Sequence, residues 1–191
     1  MTAPHLTPVP GRAADFGAIL RATLPVLRTS RTVLRAPRLE DATLWCTILT
    51  DDTAGHLGGP FDPDSAFADF AATVGMWLLR GHGMWTVTDH DDAPLGFVLI
   101  GFESGDREPE LGFLFCAHAR GRGLAFEAAL AARDHALDVL GLPGLVSYIA
   151  PSNAPSRRLA ERLGARLEGL LAYAGDDEPS EIWRHFPKVP A

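Results

Sequence analysis

Arg120-Gly121-Arg122-Gly123-Leu124-Ala125 packs two glycines, two arginines and the start of a helical pattern into one short stretch. It follows the apolar run Leu111–Cys116 and opens an alanine-rich segment from Phe126 to Leu140. A strand that breaks at paired glycines and turns directly into a helix leaves several backbone N–H groups pointing outward at the positive end of that helix. Such a turn holds a phosphate or diphosphate through the main chain alone. Arginines interleaved with the glycines add charge where the anion sits. A dinucleotide-binding turn also uses Gly-x-Gly after a strand, but it wants a third small residue for close helix packing, and Phe126 fills that place here. No acidic residue ends a second strand about 20 residues further on either.

The elements that must carry this turn are legible from periodicity. Thr32–Arg35 alternates as a first strand, and Pro37 introduces a helix with Leu39, Ala42, Trp45, Cys46 and Leu49 on one face. Gly55–Pro60 is a break. Asp62 or Asp64 caps a second helix carrying Phe67, Phe70, Val74 and Trp77, with Asp62 equally suited to lining a pocket. Segments 84–88 and 95–100 read as a hairpin, 110–116 as a strand, and 145–150 as a strand buried on both faces. Asn153-Ala154-Pro155 starts a helix that Gly164 ends, and strands over 165–172 and 181–186 close the chain. The order predicts an α+β, or mixed α/β, domain with one central sheet over residues 31–191. Residues 1–30, with prolines at 4, 8, 10 and 25, read as a partly mobile extension holding one short helix.

Composition narrows the class. The chain has 191 residues, 47% hydrophobic and 21% charged, which suits one globular domain. A formal net charge of −7 repels nucleic acid and anionic membranes, so an anionic ligand relies on local groups: the turn's N–H groups and Arg120, Arg122, Arg157 and Arg158. Cys46 and Cys116 lack metal-site spacing and read as free thiols, which with no visible signal or membrane span predicts a cytoplasmic protein. The histidines form no metal-ligand pair, so no metal is expected.

Taken together, these motifs resemble the GNAT N-acetyltransferase superfamily and its RimJ/RimL-type branch, over about residues 30–186. The resemblance rests on Arg31-Thr32-Val33-Leu34-Arg35 followed by Leu39-Glu40-Asp41-Ala42, on Gly58-Gly59-Pro60, on Glu110-Leu111-Gly112-Phe113, on the Arg120–Ala125 turn and on Pro151-Ser152-Asn153-Ala154-Pro155-Ser156 leading to Leu163-Gly164. Two positions depart from it: Phe126 stands where many relatives carry a hydroxyl, and Ala165 replaces an aromatic.

The resemblance implies a mostly antiparallel sheet with one splayed parallel pair, and acetyl-CoA as co-substrate. Its diphosphate is expected on Arg120, Gly121, Arg122, Gly123, Leu124 and Ala125, and its pantetheine arm along the backbone of Phe115 and Cys116 and on Asn153. It implies Glu110 as the base, with Glu103 and Glu108 left as solvated acids, and Ser156 or Tyr173 as the proton donor to the leaving thiolate. Asn153 is also a favoured helix cap, which explains it without a ligand. The acceptor is an amine, either a peptide N-terminus or a small molecule, taken by a monomer or homodimer. A non-catalytic acyl-CoA-binding module with the same cleft is the competing expectation.

Overall fold

A computed structural model describes residues 4–172 and 178–186. In chain order the elements are α1 (Arg12–Ala22), β1 (Leu27–Arg28), β2 (Val33–Arg35), α2 (Ala42–Leu49), α3 (Pro63–Arg80), β3 (Met84–Thr88), β4 (Pro94–Gly101), β5 (Glu110–Phe115), α4 (Leu124–Asp138), β6 (Leu145–Ile149), α5 (Ala154–Arg162), β7 (Arg166–Leu171) and β8 (Ser180–Phe186). The strands form one sheet in the order β1-β2-β3-β4-β5-β6-β8-β7, and every neighbouring pair is antiparallel except β5 and β6. From β2 onward the element order follows the periodicity.

Each face of the sheet has its own cover. Trp85 and Val87 of β3, Val98 and Ile100 of β4 and Leu111 of β5 pack with α4. Ala128, Ala129, Ala132 and Ala136 of that helix are fully buried, and their small side chains allow it to lie close on the strands. On the other face Met84 and Phe97 meet Trp45, Ile48 and Leu49 of α2 and Ala66 and Phe70 of α3. The indole of Trp45 stands edge-on to Phe97 at 5.0 Å between ring centres. All four tryptophans, Trp45, Trp77, Trp85 and Trp183, are buried.

Helix α3 begins where Asp62 accepts from the N–H groups of Asp64 and Ser65, so this residue is a cap and not part of a pocket wall. The N-terminal segment is more integrated than its prolines suggest. Helix α1 buries none of its residues, but β1 pairs with β2. Trp85 Nε1 donates to the Pro25 carbonyl at 2.8 Å, and Leu24 and Leu27 pack on the core. Residues 24–28 are therefore packed on the sheet and its core. Among the described residues no helix is long and apolar enough to cross a membrane.

Candidate active site

The site begins where β5 and β6 part. The two strands are paired only at Glu110 and Val146, with the Val146 N–H donating to Pro109 O at 3.1 Å. One residue further, the Ser147 hydroxyl donates to Leu111 O at 2.6 Å and lies 2.9 Å from His185 Nε2 on β8. Past that point no ladder bond joins the strands among the described residues.

The register of β5 against β4 decides which of its peptide groups face the gap. Cys116 N–H donates to Leu95 O at 3.1 Å, so alternate residues counted back from Cys116 bond to β4. Phe113 and Phe115 therefore turn their peptide groups into the opening, across from Tyr148 of β6. Cys116 does not belong to the arm-binding edge: its N–H is spent on β4, and its thiol is buried 3.0 Å from the Leu95 carbonyl. The phase of a strand depends on its partner, and periodicity alone left that phase open.

Directly after β5 the chain makes the glycine turn. Gly121 and Gly123 have φ of 71° and 79°, a left-handed backbone that residues with a Cβ rarely adopt. The N–H groups of Gly121, Arg122, Gly123, Leu124, Ala125 and Phe126 have no acceptor among the described residues. An unpaired run of this kind at a helix start fits a diphosphate, and the open edge of β5 fits an arm bearing amides.

The arginines divide. Arg122 is exposed, and its guanidinium has no partner among the described residues. Arg120 is anchored to the strand: its Nε donates to Phe115 O at 2.8 Å and its N–H to Ala117 O, so its exposed guanidinium also braces the turn from behind. Arg157 is also committed, its Nε 2.9 Å from buried Glu181. Phe126 packs its ring under the Arg162 guanidinium at 4.8 Å.

A cavity of about 510 Å³ opens on the α2/α3 side of the fork. Glu110, Gly112 and Leu114 line it from β5, Ser147 and Tyr148 from β6, and Asn153 and Ser156 from α5. Glu110 accepts from the Tyr148 N–H at 3.1 Å. Burial pushes its carboxyl up to about 8; the Tyr148 bond opposes that push, and the charges of Asp106 and Glu103 add to it. Asn153 does cap α5, taking the Ser156 N–H on Oδ1 at 3.3 Å, and this leaves its amide NH₂ available to the cavity. Tyr173 lies outside the described residues.

The far wall holds groups that sequence reasoning missed or misjudged. Asp69 and Glu103 line the cavity with Asp106, and burial raises the carboxyls of Asp69 and Glu103. Glu103 is solvent-exposed, as expected, but stands at the cavity rim, while Glu108 is not a solvated acid: it is ion-paired with Arg184 at 2.8 Å. The Tyr148 hydroxyl accepts from the N–H groups of Arg107 and Glu108, which holds the loop before β5 against β6. No lysine or arginine is among the described residues that line the cavity. No group of three or more His, Cys, Asp or Glu among the described residues is arranged to hold a metal ion.

Comparison with known proteins gives this geometry a setting. Residues 31–166 match the family model of the acetyltransferase (GNAT) domain. An uncharacterised N-acetyltransferase of Bacillus licheniformis, p20, is 28% identical over 155 residues, which make up 78% of this chain and 86% of that protein. A solved acetyltransferase from Agrobacterium tumefaciens is 34% identical, over 86% of this chain and 95% of its own, with a TM-score of 0.80. RimJ of Mycobacterium smegmatis, solved in complex with a CoA-disulfide, shares the fold at 20% identity and a TM-score of 0.62, over 84% of this chain and 85% of its own.

Proposed function

This chain belongs to the GNAT acetyltransferase family, and on that premise we propose that it transfers an acetyl group from acetyl-CoA directly to a primary amine. The observation that carries the reading is Glu110: a carboxyl raised to about 8 at the root of the fork, in the same cavity as Asn153 and Ser156. Bound acetyl-CoA supplies an acyl group activated as a thioester. The residues of the chain supply the rest.

An amine attacks only when neutral. A lysine-like amine with a pKa of ~10.4 is neutral about once in 10³ molecules at pH 7, a deficit of roughly 4–5 kcal/mol. A peptide α-amine, with a pKa near ~8, starts far closer. Glu110 takes the amine proton as the new C–N bond forms, and its raised pKa makes it a stronger base than an ordinary carboxylate. The open N–H groups of Gly121 to Phe126 hold the diphosphate, and the β5 edge at Phe113 and Phe115 pairs with the amides of the arm. A gap-facing N–H polarises the thioester carbonyl as an oxyanion donor. Ser156 sits on the first turn of α5, and its hydroxyl stabilises the leaving thiolate by a hydrogen bond as the C–S bond breaks, the thiolate then taking its proton from solvent. No covalent enzyme intermediate is needed, and the buried Cys116 thiol takes no part.

Resemblance to the RimJ/RimL-type branch favours a protein N-terminal α-amine as acceptor over a small-molecule amine. Thiol release from acetyl-CoA with N-terminal peptides, polyamines and aminoglycosides, measured in the wild type beside Glu110→Gln, tests the reading. Turnover with at least one amine, lost in Glu110→Gln, is expected. Tight binding of acetyl-CoA with no thiol release across the panel would support the non-catalytic module instead.

A further inference from the structure

The chemistry above makes no use of Arg31, the first residue of the family-like opening, yet the structure gives it a specific post. Glu127 lies in the first turn of α4, beside the run of open N–H groups. A carboxylate there normally suits the positive end of a helix. It conflicts with a second, larger anion bound at the same end. Burial alone would raise the Glu127 carboxyl, but bonds from Thr29 and Arg31 hold it down at about 2, so it is charged at every physiological pH.

Nearly all of that charge is met from one side. Glu127 Oε1 accepts from the Arg31 N–H at 2.7 Å and from the Thr29 hydroxyl, and Oε2 accepts from Arg31 Nε at 2.8 Å. The same guanidinium donates through NH1 to the Arg122 carbonyl at 2.9 Å, inside the glycine turn. Its remaining nitrogen, NH2, lies so close to Gly123 that a Cβ there would stand 3.4 Å from it, and it has no acceptor among the described residues. One side chain thus joins the entry to β2, the glycine turn and the first turn of α4.

We propose that Arg31 is the positioning residue of the diphosphate turn, cancelling the Glu127 charge and fixing the Arg122–Gly123 peptide so that the N–H run accepts an anion. This rests on the acetyl-CoA reading of the site. A simple brace between strand and helix predicts that losing both partners is at least as harmful as losing one. Charge cancellation predicts the reverse: removing Glu127 rescues the loss of Arg31.

Calorimetric titration with CoA separates the two, using the wild type, Arg31→Ala, Glu127→Gln and the double variant. Arg31→Ala is expected to bind CoA about 10- to 30-fold more weakly, the loss of one charge-assisted anchor plus exposure of a like charge. Glu127→Gln stays within about threefold of the wild type, and the double variant recovers most of the affinity lost by Arg31→Ala. A double variant as weak as Arg31→Ala, or an Arg31→Ala protein that binds within twofold of the wild type, overturns the proposal. Where thermal melting shows that Arg31→Ala is unfolded, Arg31→Lys serves: it keeps the charge but cannot reach Glu127 and Arg122 together. About threefold to fivefold weaker binding is expected of it, and unchanged binding overturns the proposal. A wild type that does not bind CoA at all overturns the acetyl-CoA reading and this inference with it, whereas failure of the rescue alone leaves that reading standing.

Discussion

The two ends of the cavity recognise their ligands by different means. At the cofactor end, the turn after β5 and the β5 edge of the fork present peptide groups: the N–H run of Gly121 to Phe126 and the gap-facing backbone of Phe113 and Phe115. At the acceptor end the wall is built of side chains brought from separate segments, Trp45 of α2, Asp69 of α3, and Glu103 and Asp106 of the loop before β5. Main-chain recognition needs a contiguous stretch with unusual backbone angles, and so it leaves a local signature. A side-chain wall needs only that the fold bring distant positions together. The cofactor end should therefore tolerate changed side chains and resist changed backbone, and the acceptor end should do the opposite.

Glu110, which stands between the two ends, gives the largest effect. Glu110→Gln is expected to lower kcat by about 10²–10³ while CoA affinity changes by less than about twofold. A comparable loss of CoA affinity would break the division between the ends. The pH dependence has a defined sign. Glu110 works as a base only when ionised, so wild-type turnover rises with pH through a midpoint near 8, and that limb is missing from Glu110→Gln measured with the same acceptor.

Stability moves the other way. The folded carboxyl titrates near 8 and the unfolded one near 4.5, so over that interval the folded state holds a proton that the unfolded chain has released. Stability contributed by the protonated form is complete below pH 4.5 and is lost as pH rises to 8. Glu110→Gln should melt above the wild type at pH 9, by on the order of 5 °C, with the gap closing towards pH 4.5.

The next effect sharpens the contrast within the cofactor end. Gly123 has φ of 79°, and a β-branched side chain does not tolerate that angle. Gly123→Val should weaken CoA binding by about 10- to 100-fold by moving the N–H groups, measured by calorimetry. Arg122→Ala, which removes an exposed guanidinium from the same turn, should cost only about threefold. Equal losses would mean that the turn works through its arginines. Ser156→Ala also falls well below Gly123→Val: it is expected to lower kcat by about fivefold with KM for acetyl-CoA little changed, seen in steady-state rates of thiol release.

The same division explains what could be read in advance. Helix and strand order follow from periodicity and from punctuation such as Pro37, Gly55–Pro60 and Gly164, and the order of elements from β2 to β8 follows them. The glycine turn and Glu110 at the start of β5 were legible because each is tied to a local pattern. Cys116 was misjudged because alternation has a period of two but no phase until the register with β4 is known. Arg157 was misjudged because charge in sequence does not say where the charge is spent: it is taken by Glu181 on β8. Arg31, Asp69, Glu103 and Tyr148 matter through partners far away in the chain, and no short pattern marks such pairings.

The smallest predicted effect tests the acceptor wall itself. Glu103, Asp106 and Asp69 line the cavity with Glu110, and the described lining offers no lysine or arginine to balance them. Burial raises the Glu103 carboxyl, and the charges of Asp106 and Asp69 raise it further, so a positive charge arriving beside these groups is stabilised more than it would be at an open surface. An acceptor with a second cationic group should gain from Glu103, and an acceptor of the same length with a neutral group in that place should not. Glu103→Gln is therefore expected to raise KM for the dicationic acceptor by about threefold, with the neutral-tailed acceptor and CoA affinity shifting less than that. Should both acceptors suffer alike, Glu103 shapes the wall and does not read charge, and the acceptor end would then select by form, much as the cofactor end does through its backbone.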